Sequence, residues 1–205
     1  VAEYVALEEL KRSLELAGES YADEDLSLAI TAASQAVESL CNRRFYLDEE
    51  DATHEYPAER QTWIEFDDVA AVSGVSVDTY GNGTFIELTD GEDYALLPRN
   101  RPSGDPATGL ELSYRSAVYG LQNGQECFGS RPSIVRITGR FGWGEIPAPI
   151  KLATKILATR LLKRVREAPF GVAGMGADGI AVRIASGDPD VAMLTAPYGR
   201  RRRLA

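Results

Sequence analysis

Apolar residues recur at helical spacing at the two ends of this 205-residue chain, over residues 6–41 and 147–167, and not between them. Residues 52–140 are instead cut into short β-branched and aromatic runs separated by polar turns. A one-sided helix is stable only when its stripe meets another element, so the distant ends are expected to pack together. The chain therefore reads as α+β: a small helical bundle, two N-terminal helices plus one long C-terminal helix, with an inserted antiparallel β subdomain.

The first helix spans residues 6–16, with Leu7, Leu10 and Leu14 on one face and Gly18 at its stop. A second starts near Asp23, a residue type that caps helices well. Its apolar stripe is Leu26, Ile30, Ala33, Val37, Leu40 and Cys41, and Asn42-Arg43-Arg44 suits its C-terminal turn. Pro147 and Pro149 open the third helix, which runs about 30 Å to Glu167. Its predicted inner face is Ile150, Ala153, Leu157, Leu161 and Val165, and basic residues from Lys151 to Arg166 fill the remainder. The expected bundle core is Leu26, Ile30, Val37, Leu40, Leu157 and Leu161.

Strand signals fall at Trp63–Phe66, Val75–Val77, Phe85–Leu88, Leu110–Tyr114 and Ile134–Ile137. Gly81-Asn82-Gly83 suits a tight hairpin, and 115–131 reads as a long loop. After Pro169 comes a link rich in glycine (Gly171, Gly174, Gly176, Gly179), then an alternating Ile180, Val182 and Ile184 strand. Asp188 is placed to cap a short helical turn through Leu194, and Pro197-Tyr198 leads into Arg200-Arg201-Arg202-Arg203. The expected segments are 1–47 (N-terminal helices), 48–144 (β subdomain), 145–168 (long helix) and 169–205 (link and C-terminal arm).

Enzyme chemistry finds little to work with. His54 is the sole imidazole, and Cys41 and Cys127 are too few for a zinc site or disulfide framework. Gly174-Met175-Gly176-Ala177-Asp178-Gly179 matches G-x-G-x-x-G, but a helix precedes it and a strand follows, the reverse of what a dinucleotide site needs. Asp48-Glu49-Glu50-Asp51 lacks the alternating ligands of a calcium loop. No enzymatic role, cofactor or metal is expected. No run approaches the roughly 18 apolar residues of a membrane span, and Val1-Ala2-Glu3-Tyr4 does not read as a secretory signal.

Charge is uneven. Residues 1–144 carry 11 basic and 26 acidic side chains, whereas 145–205 carry 11 and 5. An acidic body repels nucleic acid and a basic end attracts acidic partners. The arginine run could meet phosphate, an acidic protein surface, or only solvent.

Several ordered segments resemble phage head–tail connector (adaptor, head-completion) proteins of long-tailed phages. They are Tyr4-Val5-Ala6-Leu7-Glu8-Glu9-Leu10-Lys11, Ala32-Ala33-Ser34, Cys41-Asn42-Arg43-Arg44-Phe45 and Gly139-Arg140-Phe141-Gly142-Trp143 before Ile146-Pro147. Ala168-Pro169-Phe170-Gly171-Val172, Asp188-Pro189-Asp190-Val191-Ala192 and Pro197-Tyr198 complete the series. Two positions depart from the family pattern: Ala6 stands for a Ser or Thr cap, and Asn42 for a glycine. The resemblance implies a virion protein, assembled in the bacterial host cytoplasm, that forms a homo-oligomeric ring, expected to number twelve, beneath the portal protein. It implies a ring that extends the DNA channel, passes double-stranded DNA without sequence-specific binding, and docks a tail-side neck or stopper protein. The arm is then expected to bind the portal through Ile180, Val182, Arg183, Ile184, Asp188, Val191, Leu194, Tyr198 and Arg200, Arg201, Arg202 and Arg203. Two alternatives stay open: a stopper or tail-completion neck protein, and a nucleic-acid-binding packaging accessory using the basic third helix and arginine tail.

Overall fold

The computed structural model describes residues 3–16, 18–58, 62–79, 81–116, 118, 120–122, 125–127, 133–167, 172–175, 181–183 and 188–200. In chain order the elements are α1 (Leu7–Leu16), α2 (Asp23–Cys41), β1 (Ala52–Pro57), β2 (Trp63–Asp78), β3 (Ile86–Leu88), β4 (Tyr94–Leu97) and β5 (Ala107–Leu112). They continue with β6 (Gly120–Gln122), β7 (Gln125–Cys127), β8 (Ile134–Phe141), α3 (Ala148–Glu167), β9 (Val172–Met175), β10 (Ala181–Arg183) and α4 (Pro189–Thr195), then a 3-10 turn at Ala196–Tyr198. The fold is α+β, with four helices and an antiparallel sheet among the described residues. Packing divides the chain into a helical unit, Val1–Phe45 with Ile146–Ala205, and a β unit, Tyr46–Glu145.

In the helical unit α1, α2 and α3 share one core containing Leu10, Leu14, Leu26, Ile30, Ala158 and Leu162. α2 does not use Asp23 as its cap. Ala22 holds that position with no side-chain bond, and Asp23, Glu24 and Asp25 fill the first turn, where carboxylates face the positive helix end. Asn42 ends α2 in the left-handed region (φ 51). Asparagine is among the few non-glycine residues that visit it readily.

The inward stripes are offset from the sequence expectation. Leu26, Ile30 and Val37 are buried, but Leu40 is 60% exposed and Cys41 takes the inner position. At 3.6 residues per turn the row after Val37 falls nearer 41 than 40. Burial pushes the Cys41 thiol up to about 11. On α3 the buried row is Ile150, Ala153, Thr154, Ala158 and Leu162. Leu157 and Leu161 are only half-buried at the rim of the core, and Val165 is 78% exposed.

The segments that carry the family resemblance knit this unit together. Tyr4 N–H donates to Ser34 Oγ (3.2 Å), Tyr4 OH donates to Glu38 (2.5 Å), and Phe45 N–H donates to Tyr4 OH (2.9 Å). Phe45 then receives Tyr4 and Tyr198 edge-on, at 6.0 and 5.8 Å between ring centres. Three stretches distant in sequence thus meet around one buried ring.

In the β unit the strand order is β1-β8-β2-β5-β4, with β3 also on β2. β2 fuses two predicted strands into one of 16 residues, whose register shifts let one end pair with β5 and the other with β8 and β3. The core holds Ile64, Phe66, Val69, Leu110, Ile137 and Phe141. Gly81-Asn82-Gly83 is no two-residue hairpin turn. Its three N–H groups donate to the buried Asp78 carboxylate at 2.7, 3.2 and 2.7 Å, so a wider loop wraps a side chain. The stretch expected to be a loop contains the β6–β7 pair.

The Gly139–Trp143 segment is equally architectural. β8 passes so close to β2 that a side chain on Gly139 would strike Ala71 O. Trp143 Nε1–H donates to the buried Asp68 carboxylate (2.9 Å), and Gly142 N–H donates to Asp68 O (2.6 Å).

Candidate functional site

The arm expected from the sequence comes apart into pieces with different situations. Ile180, Ile184, Arg201, Arg202 and Arg203 lie outside the described residues. Val182 and Arg183 belong to β10, which pairs antiparallel with β9, so the stretch read as a glycine link followed by one strand contains a hairpin. From Asp188 to Arg200 the chain is folded back on the helical unit. Asp188 caps α4, accepting from the N–H groups of Asp190 (3.0 Å) and Val191 (3.3 Å), and Arg160 of α3 donates to its other oxygen (3.1 Å). Val191 is 3% exposed, and Thr195 O lies 3.9 Å from Cys41 Sγ. Leu194 is half-buried, and Tyr198 packs on Phe45. Arg200 N–H donates to Cys41 O (2.8 Å), which holds the start of the arginine run at the C-terminal end of α2. Asp188, Val191 and Tyr198 are thus occupied within the helical unit and do not extend as a free arm. The reason is long-range: an apolar Val191 face and a half-buried ion pair that no local spacing announces.

Displacement of the α3 stripe leaves a row over. Leu161 and Val165 face α2 beside Leu28 (70% exposed), Ala29, Ala32 and Tyr21, and together they line an apolar groove of about 440 Å³. Asp25 and Arg166 stand at its rim, with the Arg166 guanidinium 5.5 Å from the Tyr21 ring centre. Beside it Lys163 meets Glu19 at 2.7 Å, and Tyr21 OH donates to the same carboxylate at 2.9 Å. Both contacts, Lys163 first, hold Glu19 below the usual carboxylate range. A depressed carboxyl contributes stability above its unfolded value, near 4.3, and loses it as pH falls through the folded one. Glu19→Gln is therefore expected to flatten the acid limb of the unfolding-midpoint-versus-pH curve below about pH 4.5. An unchanged acid limb would count against the pair.

Three of the six basic residues of α3 are ion-paired within the helical unit. Lys155 pairs with Glu9 (3.4 Å), Arg160 with Asp188 (3.1 Å) and Lys163 with Glu19 (2.7 Å). The β unit carries the acid excess, 18 acidic against 7 basic residues, whereas the helical unit has 13 against 15. A polar cleft of about 790 Å³ in the β unit is lined by Tyr94, Arg99, Glu111 and Tyr114 among others, with Arg99 and Glu111 paired at 2.9 Å. His54 stacks on Phe141 at 3.9 Å between ring centres. Among the described residues no group of three or more His, Cys, Asp or Glu is arranged to hold a metal, and no helix is long and apolar enough to cross a membrane.

Neither a protein-family model nor any curated protein matches the chain by sequence. Solved structures do match it in fold. A chain from the neck of an empty gene transfer agent particle, computed with C6 symmetry, superposes with a TM-score of 0.55 at 17% identity, covering 100% of this chain and 95% of that one. A chain from the virion of the native gene transfer agent particle gives 0.50 at 17% identity, covering 97% and 90%. The likeness covers at least 97% of this chain and at least 90% of each neighbour.

Proposed function

We propose that this chain is a non-enzymatic structural protein of the neck of a tailed phage or phage-like particle, forming an adaptor ring between portal and tail. The observation that carries the reading is the end-to-end fold match to a chain of a gene transfer agent neck. The residues agree with it: several segments resembling phage connectors make buried contacts within each unit, Tyr4 with Ser34 and Phe45 in one and Trp143 with Asp68 in the other. The neck of that particle was computed with six-fold symmetry, and a ring of twelve is compatible with such an axis. In this reading the acidic β unit borders the channel, where carboxylates keep passing DNA from adhering. The helical unit makes the ring, and a tail-side neck protein docks below. The ring assembles in the host cytoplasm before the tail joins.

The portal contact is assigned to the β9–β10 hairpin. An isolated two-stranded hairpin is marginal in water, and strand addition to a partner sheet completes it. Purified protein is expected to co-sediment with tailless, portal-containing heads. Replacing residues 172–184 by a Gly-Ser linker of equal length should abolish this while leaving helix content and Tm unchanged. Retained attachment would remove the hairpin from the contact. Failure of the intact chain to attach, together with duplex binding that weakens steeply with salt, would favour the packaging-accessory reading. The internal pairing of Lys155, Arg160 and Lys163 speaks against that outcome.

A further inference from the structure

We infer that, independently of any role in a neck, Asn82 is a latent deamidation site in the loop between β2 and β3, held unreactive by the buried Asp78 carboxylate.

The atoms of the reaction define what the loop must prevent. The main-chain nitrogen of residue 83 loses its proton and attacks Asn82 Cγ. A C–N bond forms, the C–N bond to the side-chain nitrogen breaks, and that nitrogen leaves as ammonia. Water then opens the resulting succinimide to aspartate or isoaspartate, so one water is consumed and one ammonia released. Glycine is the most permissive following residue, because it brings no Cβ into the close approach. Asn82-Gly83 has this pairing. Both residues are exposed, and at Gly83 (φ +83) nothing lies within 4 Å of where a Cβ would stand. Water reaches the dipeptide and the succinimide ring has room.

Hydrogen bonds oppose what composition and access favour. Asp78, 2% exposed at the end of β2, accepts from the N–H groups of Gly81 (2.7 Å) and Asn82 (3.2 Å) with one oxygen. Its other oxygen accepts from Gly83 N–H at 2.7 Å. The nitrogen that must become the nucleophile is therefore the donor in a charge-assisted bond. Loss of its proton would set an amide anion against a carboxylate, a like-charge contact that burial strengthens. The electrophile is held too, since Asn82 Oδ1 accepts from Thr84 N–H at 2.9 Å. Both ends of the bond to be made are thus engaged elsewhere.

The loop cannot close again once the reaction has run. Isoaspartate lengthens the main chain by one carbon and places a second carboxylate beside Asp78. The adjoining Val77–Ile86 pair, where β3 joins β2, then loses the loop that connects it.

Asp78→Asn removes the charge and keeps the size of the side chain. Folded parent and folded variant are incubated at neutral pH for several weeks beside both chains in urea, and conversion at residue 82 is followed by peptide-level mass spectrometry. Asn123-Gly124, the other Asn-Gly pair of the chain, serves as the clock for the urea samples. Asn82 is expected to convert at least about tenfold more slowly in the folded parent than in urea, and about tenfold faster in the folded variant than in the folded parent. A second readout needs no variant. Base-catalysed amide exchange passes through the same amide anion, so Gly83 N–H in the parent should exchange at least about tenfold more slowly than in the unfolded chain, despite its exposed loop. If circular dichroism shows that Asp78→Asn does not fold, this exchange rate decides alone. Equal conversion in folded and urea-treated parent, an unprotected Gly83 N–H, or a folded variant no faster than the parent would each overturn the inference.

Discussion

Gly142→Ala is expected to destabilise the β unit severely. Gly142 sits at φ +105, where an L side chain is strained, and a Cβ built there would collide with the carbonyl oxygen of Tyr46. Relief by a small shift is blocked on both sides. Gly142 N–H is tied to Asp68 O at 2.6 Å, and the next residue, Trp143, is 5% exposed and bonded through its indole to the Asp68 carboxylate. On the other side Asp48 N–H donates to Phe141 O at 2.8 Å, which holds the segment after Tyr46 in place. The backbone cost, the steric cost and the disturbed Asp68–Trp143 bond together exceed about 3 kcal/mol, at the upper end of single-residue effects. In a unit of about 100 residues that is on the order of 15 °C or more in Tm. Thermal unfolding followed by tryptophan fluorescence reads it, because Trp143 lies beside the lesion. A shift of less than about 5 °C would show that the loop yields where the geometry says it cannot.

This glycine also shows what kind of information the sequence carried. The Gly139–Trp143 segment stood out as a family mark, and its physical content is a close strand approach, a core ring, a left-handed turn and a buried indole bond. Elements with strong local signals were legible: α3 begins one residue after Pro147 and ends at Glu167. Helical phase was not. Two apolar rows compete on α3, Ala158 with Leu162 and Leu157, Leu161 with Val165, and packing buries the smaller-residue row against α2. Assigning the second row to the core hid the apolar groove between α2 and α3. β1 and β4 escaped notice because Ala52–Pro57 and Tyr94–Leu97 are poor in β-branched residues and owe their pairing to β8 and β5. Asp67-Asp68 resembles a turn, yet it lies inside β2, since Asp68 finds its partner 75 residues away in Trp143. The folded-back arm was out of reach for the same reason: Arg160 with Asp188 and Cys41 with Arg200 are contacts that only the tertiary structure makes.

Asp188→Ala is expected to release α4. The helix has seven residues, far too few to persist alone. Asp188 supplies both its start and its anchor: one oxygen accepts from Asp190 and Val191, and the other from Arg160. The cap accounts for about 1 kcal/mol. The ion pair has side chains 26% and 17% exposed and adds about 1–2 kcal/mol, chiefly because removing one partner leaves the other half-buried. Asp188→Asn keeps a capping oxygen and removes the charge, so it should recover the smaller share and separate the two contributions. Release of α4 also uncovers the Cys41 thiol, which is 0% exposed and lies under Thr195. Amide exchange in residues 190–195 should accelerate, and a thiol reagent at neutral pH should label Cys41 in the alanine variant far faster than in the parent, by peptide-level mass spectrometry. Labelling rates that match between the two would mean that α4 is held by Val191 burial alone.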